Sequence, residues 1–167
     1  MMIPVVVESV RMNLSNGQRV VILKDDKLDR YLLIWVGLPE STAIAMELHG
    51  EKAPRPLTAD LLKAVIDQLG AHVADVGVTE LTDDVYHARI GIVNDKNVRL
   101  DIDARSSDAI ALAVRCDVPV FVEDSILDQA SITLPSEEDD RLEVYRDFVN
   151  NLFDSPGAGE GERRPDA

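Results

Sequence analysis

The 167-residue sequence contains one cysteine, three phenylalanines, three tyrosines and one tryptophan. The lone thiol, Cys116, excludes an internal disulfide and argues against a thiolate-bound structural zinc site. It fits a reducing compartment, and the cytoplasm is the expected location. Aromatics at 4% leave the core to Val, Ile, Leu and Ala. They also remove the aromatic platforms on which single-stranded nucleic acids commonly stack. Basic residues are scarce as well, with 17 Lys plus Arg against 31 Asp plus Glu and a formal charge of −14. Such a surface repels a phosphate backbone at long range and argues against avid non-specific DNA binding. It does not exclude a site for a phosphate-bearing ligand, because a carboxylate-bound divalent cation inverts the sign of charge locally. No apolar run approaches the roughly 18 residues of a membrane span. The opening MMIPVVVESV lacks the basic start and long apolar run of a signal peptide, so no membrane partner is expected. HExxH, CxxC, GxSxG and P-loop patterns are missing.

Apolar residues make up 46% of the chain, enough for one domain with a substantial core. Alternation predicts strands over 4–12, 20–23 and 31–36, with Asn16-Gly17 as a tight hairpin turn and 24–30 as a charged loop. The 31–36 strand, apolar on both sides, reads as central. A helix over 40–49 ends at Gly50, and Thr58 caps a second over 59–69 that ends at Gly70. Leu61, Leu62, Val65, Ile66 and Leu69 form its expected core stripe. Strands over 73–81, 85–93 and 98–103 suggest an antiparallel meander. A helix over 108–115, a short strand over 118–122 entered through Pro119, and a short helix over 123–130 follow. The expected fold is α+β: a single domain over 1–134 with a mixed, largely antiparallel sheet of six or seven strands covered by helices. A C-terminal amphipathic helix is expected over 135–153, and a disordered polar tail over 154–167. Leu142, Tyr145, Phe148, Val149 and Leu152 form one stripe on that helix. A homo-oligomer, most simply a dimer, would bury it.

Residues 98–115 carry the most chemistry. Arg99, Asp101 and Asp103 alternate with Leu100, Ile102 and Ala104, so the two carboxylates share a strand face. They could hold a hard cation, Asp101 could pair with Arg99, or the face could simply be solvated. Ser106, Ser107 and Asp108 place oxygens where a helix start needs them, Ser107 as a structural cap. Arg105 stands beside the carboxylates at the strand-to-helix junction. Arg55, between Pro54 and Pro56, is presented from a stiff segment. Arg55 and Arg105 are the best phosphate-binding candidates, since a guanidinium holds two phosphate oxygens; each could equally be the structural partner of a carboxylate. Glu47 shares a helical face with Glu40, whereas His49, two residues on, does not. His72 reads as a loop residue and His87 as a strand residue.

IDARSSDAIALAV (102–114) resembles the hallmark segment of the bifunctional nuclease family. A second stretch is similar in the expected order: Ile34-Trp35-Val36-Gly37, Ala43-Ile44-Ala45, Pro54-Arg55-Pro56-Leu57-Thr58 and Asp60-Leu61-Leu62. The resemblance runs from Val5 to Ala130 and implies nuclease activity toward DNA and RNA. Ser106 stands where the family commonly has a proline. Ala59 stands where it commonly has a histidine, which removes a possible metal ligand or general base.

Two functional expectations follow. In the first, Asp101, Asp103 and Asp108, with Glu47, ligate Mg²⁺ or Mn²⁺, Arg55 and Arg105 clamp phosphate, and His49 serves as general base in a phosphodiester hydrolase. In the second, the chain is a non-enzymatic oligomeric regulatory or interaction protein. Arg105 then satisfies Asp103 and the polar cluster pins the strand-to-helix turn.

Overall fold

The structure is a computed structural model and describes residues 1–25 and 27–133. The expected C-terminal helix and polar tail lie outside the described residues. Within them the α+β expectation holds. The elements in chain order are β1 (Met2–Met12), β2 (Arg19–Asp25), β3 (Arg30–Val36), α1 (Leu38–Leu48), α2 (Thr58–Gln68), β4 (Ala71–Thr82), β5 (Val85–Asn94), β6 (Arg99–Arg105), α3 (Ser106–Cys116), β7 (Val120–Glu123), α4 (Asp124–Ala130) and β8 (Ile132–Thr133).

The eight strands form one sheet in the order β6-β5-β4-β7-β1-β2-β3-β8, wider than the six or seven expected. Two antiparallel meanders, β1-β2-β3 and β4-β5-β6, are joined by β7, which is antiparallel to β1 and parallel to β4. A parallel neighbour requires a crossover, and the β5-β6-α3 connection supplies it. Pro119 lies just before this interior strand, and its carbonyl accepts the Val76 N–H at 3.0 Å. The chain therefore enters β7 from a loop, and β7 is not an edge.

Strand alternation sorts the sheet into two faces. Val5, Val21, Leu23, Leu32, Ile34, Val76, Val78, Ile90, Val120 and Val122 join Ile44, Ile66, Ile110, Leu112 and Leu127 of the helices in one core. Ile110 and Leu112 are fully buried, each worth about 2–3 kcal/mol of apolar burial. Ala109, Ala111 and Ala113 are at most 4% exposed; their small side chains let α3 sit between α1 and α2. The Cys116 thiol at its end is half-buried, and burial pushes its pKa up. Gly50 and Gly70 follow α1 and α2 with φ of +69° and +74°, the left-handed geometry that stops a helix.

Several expectations are corrected by register and packing. The first hairpin turn is longer than two residues: Asn13 N–H donates to the Gln18 carbonyl at 2.9 Å, with Gly17 at φ +73° inside the loop. Lys24, Asp25 and Arg30 belong to strands, with Asp25 opposite Arg30. β3 is flanked by β2 and only the two-residue β8, so it lies near an edge and leaves Trp35 39% exposed. His72 sits in β4 opposite Val93. Thr58 begins α2 instead of capping it: the N-cap is Leu57, whose N–H donates to Asp60 at 2.7 Å. Ser107 is no cap either, since Ser106 and Ser107 are buried first-turn residues and α3 has no side-chain cap bond.

The largest correction concerns α2. Of its five-residue stripe only Ile66 is buried; Leu61, Leu62, Val65 and Leu69 are 58, 39, 45 and 78% exposed. Asp60 instead fixes the helix to the core layer. Arg115 of α3, with a side chain only 4% exposed, donates from Nε to Asp60 at 2.6 Å. Its remaining nitrogens reach the Ala111 and Ala43 carbonyls at 2.9 and 3.0 Å. One buried guanidinium thereby links α1, α2 and α3.

Candidate active site

Arg105 ends β6 and is the N-cap of α3, with φ −65° and ψ 145°. That position sends its guanidinium across the start of the helix. Nε donates to Asp108 Oδ2 at 2.7 Å, and Nη2 donates to Asp108 Oδ1 and Glu40 Oε1, both at 3.0 Å. Arg105 is 68% exposed, Asp108 44% and Glu40 only 19%. Both carboxylates, Asp108 foremost, push the guanidinium pKa upward.

Glu40 reaches this place because of Gly37. Gly37 is the N-cap of α1 and Glu40 lies in the first helical turn. A Cβ on Gly37 would lie 2.5 Å from Glu40 Oε2, so the bare glycine lets the carboxylate fold back over the helix start. A glycine three residues before a glutamate was visible in the sequence. Its meaning was not, because Arg105 is 65 residues away.

The Glu40–Arg105–Asp108 group rims a cleft of about 650 Å³ among α1, α2, β6 and α3. Leu57, Leu62, Ile90 and Ile102 supply apolar walls, and Asp103 also lines it. Charged groups at the rim of an apolar cleft are the usual makings of a ligand site. A phosphate approaching this rim meets a guanidinium with exposed surface and two carboxylates able to accept protons.

The expected metal set is not brought together. Register pairs Asp101 with Gly91 and Asp103 with Arg89; Asp103 and Asp108 both line the cleft, whereas Asp101 does not. Asp101 is held instead by Arg99, at 2.9 Å from Nη2, and by Arg89, at 3.0 Å from Nη1. The same two arginines grip Asp75 at 2.6 and 2.9 Å. Arg99 foremost, with Arg89, holds the Asp75 carboxyl below the usual range against its burial. A Cβ on Gly91 would collide with the Arg99 guanidinium. The Asp101–Arg99 pairing read from the sequence is thus present, and Arg89, legible only from register, completes the network. Among the described residues Asp103 makes no ion pair, and Arg105 satisfies Asp108 and Glu40 rather than Asp103. No group of three or more His, Cys, Asp or Glu side chains suited to a metal ion occurs among the described residues.

Glu47 and His49 stand apart from the cleft. Glu47 lines a depression of about 260 Å³ with Arg55. His49 caps the C-terminus of α1, with ring Nδ1 2.7 Å from the Ala45 carbonyl, and lines a groove of about 300 Å³ with Arg19. That contact places the proton on Nδ1. Arg55 and Arg105 therefore do not clamp one phosphate in a single cavity. Their depressions share Leu57 as a common wall. Among the described residues no helix is long and apolar enough to cross a membrane.

Residues 21–135 match the bifunctional nuclease domain, a span that includes Gly37, Glu40, Arg105 and Asp108. A protein described as uncharacterized in two Mycobacterium tuberculosis strains is 34% identical over 155 residues, covering 87% of this chain and 92% of its own length. Bifunctional nuclease 1 of Oryza sativa subsp. indica is 29% identical over 116 residues, 68% of this chain and 35% of the rice protein. Bifunctional nuclease 2 of Arabidopsis thaliana is 30% identical over 112 residues, 66% of this chain and 34% of the plant protein. The similarity to these plant nucleases thus covers about a third of each. The chain belongs to the bifunctional nuclease domain family.

Proposed function

We propose that the chain hydrolyses phosphodiester bonds of DNA or RNA at the Arg105 cleft. The observation that carries this reading is the exposed guanidinium held between Glu40 and Asp108 at the cleft rim. A guanidinium can grip two phosphate oxygens, and a phosphate arriving at Arg105 competes with the two carboxylates for its donors. A displaced carboxylate is then free to accept a proton from the attacking water.

The donor set does not make a closed metal cage. It does suit an ion such as Mg²⁺ or Mn²⁺ that keeps several waters and takes one or two carboxylates together with substrate phosphates. Glu40 and Asp108 would be those carboxylates. When bound, such an ion would lower the pKa of water and neutralise charge developing on the phosphate. A reducing compartment such as the cytoplasm suits the free Cys116.

The test is cleavage of labelled single-stranded DNA and RNA by the purified full chain with added Mn²⁺, compared with Arg105→Ala and Asp108→Asn. Loss of cutting in both variants supports the site. Cutting equal to the parent in both overturns it.

A second reading, a non-enzymatic oligomeric interaction protein, is favoured by the exposed apolar face of α2. Self-association, most simply as a dimer, is compatible with either reading. Leu61, Val65 and Leu69 on α2 and Leu100 and Ile102 on the edge strand β6 are the apolar residues such an interface would cover.

A further inference from the structure

The cations left over by the ion pairs gather around α1. Arg30, Arg89, Arg99, Arg105 and Arg115 are each tied to carboxylates. Among the described residues Arg19 and Arg55 make no ion pair. Arg19 donates from Nη1 to the Gly17 carbonyl at 3.0 Å and keeps its other donors uncommitted. With Thr42 and His49 it lines the groove of about 300 Å³ between the first hairpin and α1. Arg55 and Lys52 line the depression of about 260 Å³ beyond the end of that helix. Lys52 also acts on Asp60, helping to hold it ionised.

Each pair of these depressions shares lining residues. The Arg19 groove and the Arg55 depression share Met46 and Glu51; the Arg19 groove adjoins the Arg105 cleft at Thr42, and the Arg55 depression adjoins it at Leu57. Arg11 also lines the Arg19 groove. Lys27 and Lys96, the other cations without an ion pair among the described residues, lie in turns and line none of the three.

We infer that these adjoining depressions form a track for the sugar-phosphate backbone of a single-stranded nucleic acid beside the Arg105 cleft, with Arg19 and Arg55 each holding a phosphate. The occupant is polyanionic because the unpaired donors are guanidinium groups, which match phosphate oxygens. It is a single strand because a flexible backbone can follow adjoining small depressions around one helix, whereas duplex DNA is stiff over about 150 bp. Among the described residues no Phe, Tyr or Trp lines any of the three, so binding rests on phosphate contacts, which carry no sequence information. Glu47 and Glu51 line the same surface, which keeps the affinity modest and strongly salt-dependent. The inference rests on the hydrolytic reading for what happens at Arg105, but binding along the track is separable from cutting.

The experiment is fluorescence anisotropy of a labelled oligothymidylate with the full chain in EDTA, over a series of salt concentrations. The proteins are the parent, Arg19→Ala/Arg55→Ala and Lys96→Ala/Lys27→Ala, the last removing equal charge elsewhere. Thermal melts check that each is folded. The expected result is at least a tenfold affinity loss in the first double variant and a log–log salt slope shallower by about 0.7 for each lost phosphate contact. The second double variant should bind within about twofold of the parent. Equal loss in both variants, unchanged binding in the first, or no binding by the parent overturns the track. Track-dependent binding without cutting under Mn²⁺ retains the track and removes the nuclease reading. Cutting that persists with parental binding in Arg19→Ala/Arg55→Ala does the reverse.

Discussion

Glu40 Oε1 lies 3.0 Å from Nη2 of Arg105. Glu40 opens α1 after the third strand of one meander; Arg105 ends the third strand of the other. This contact joins the two halves of the sheet at the rim of the cleft, between the two segments that resemble the family.

Gly37→Ala tests that contact with little disturbance elsewhere. Gly37 has φ −73°, which alanine adopts freely, so the only new feature is a methyl group where the Glu40 carboxylate rests. Stability should change by less than about 0.5 kcal/mol, because the flexible end of Glu40 moves first. Nuclease turnover should fall about tenfold, matching Glu40→Gln. Thermal melts and single-turnover cleavage check this; full activity in both variants would remove Glu40 from the site.

Asp101→Ala separates the strand-face network from the cleft. Asp101 is half-exposed and held by Arg89 and Arg99, so its removal should cost no more than about 1 kcal/mol. Cleavage should stay within about twofold of the parent, while Asp108→Asn loses at least about a hundredfold. Loss of cutting in Asp101→Ala with an unchanged melting curve would return the chemistry to the strand face.

Acid should destabilise the domain through Asp25. Its side chain is nearly fully buried, and burial alone would raise its pKa. The Arg30 guanidinium, 2.9 Å away, and the Lys27 N–H outweigh that and hold the carboxyl below its ordinary range. A depressed folded-state pKa contributes stability that is complete above the unfolded carboxyl value of about 4 and is lost as pH falls through the folded value. Denaturant unfolding of the parent should therefore weaken below about pH 4. Asp25→Asn should cost about 2–3 kcal/mol at neutral pH and flatten the acid limb. Arg30 keeps Asp124 and Asp128 as partners in that variant, which limits the loss. An unchanged acid limb would assign the pH dependence to other carboxylates.

The exposed face of α2 predicts self-association. Leu61→Glu/Val65→Glu should shift the full chain toward monomer in sedimentation at micromolar concentration, with no loss of melting temperature, because both side chains already face solvent. An oligomer that survives the change would place the contact elsewhere, and a monomeric parent would refute the assembly.

The period-two runs, the helix stops at Gly50 and Gly70, and the α+β class were legible in the sequence because they depend on local geometry. Alternation and positive-φ glycines are properties of a few consecutive residues. The same-face placement of Asp101 and Asp103 was legible for that reason, as was the Asp101–Arg99 pair two residues apart. Arg105 at the strand-to-helix junction could also be singled out from local pattern.

Only the tertiary structure decided what those faces meet. Periodicity shows that α2 has an apolar stripe, but not that the core layer covers only Ile66 and leaves Leu61 and Leu69 outside. Asp101 and Asp108 look like neighbours along the chain. The turn from strand to helix puts them in different surroundings, one against Arg89 and Arg99, the other against Arg105. Glu40 and Arg105, and likewise Asp60 and Arg115, meet across 65 and 55 residues. Such pairs depend on how whole elements pack, and no local pattern encodes the partner.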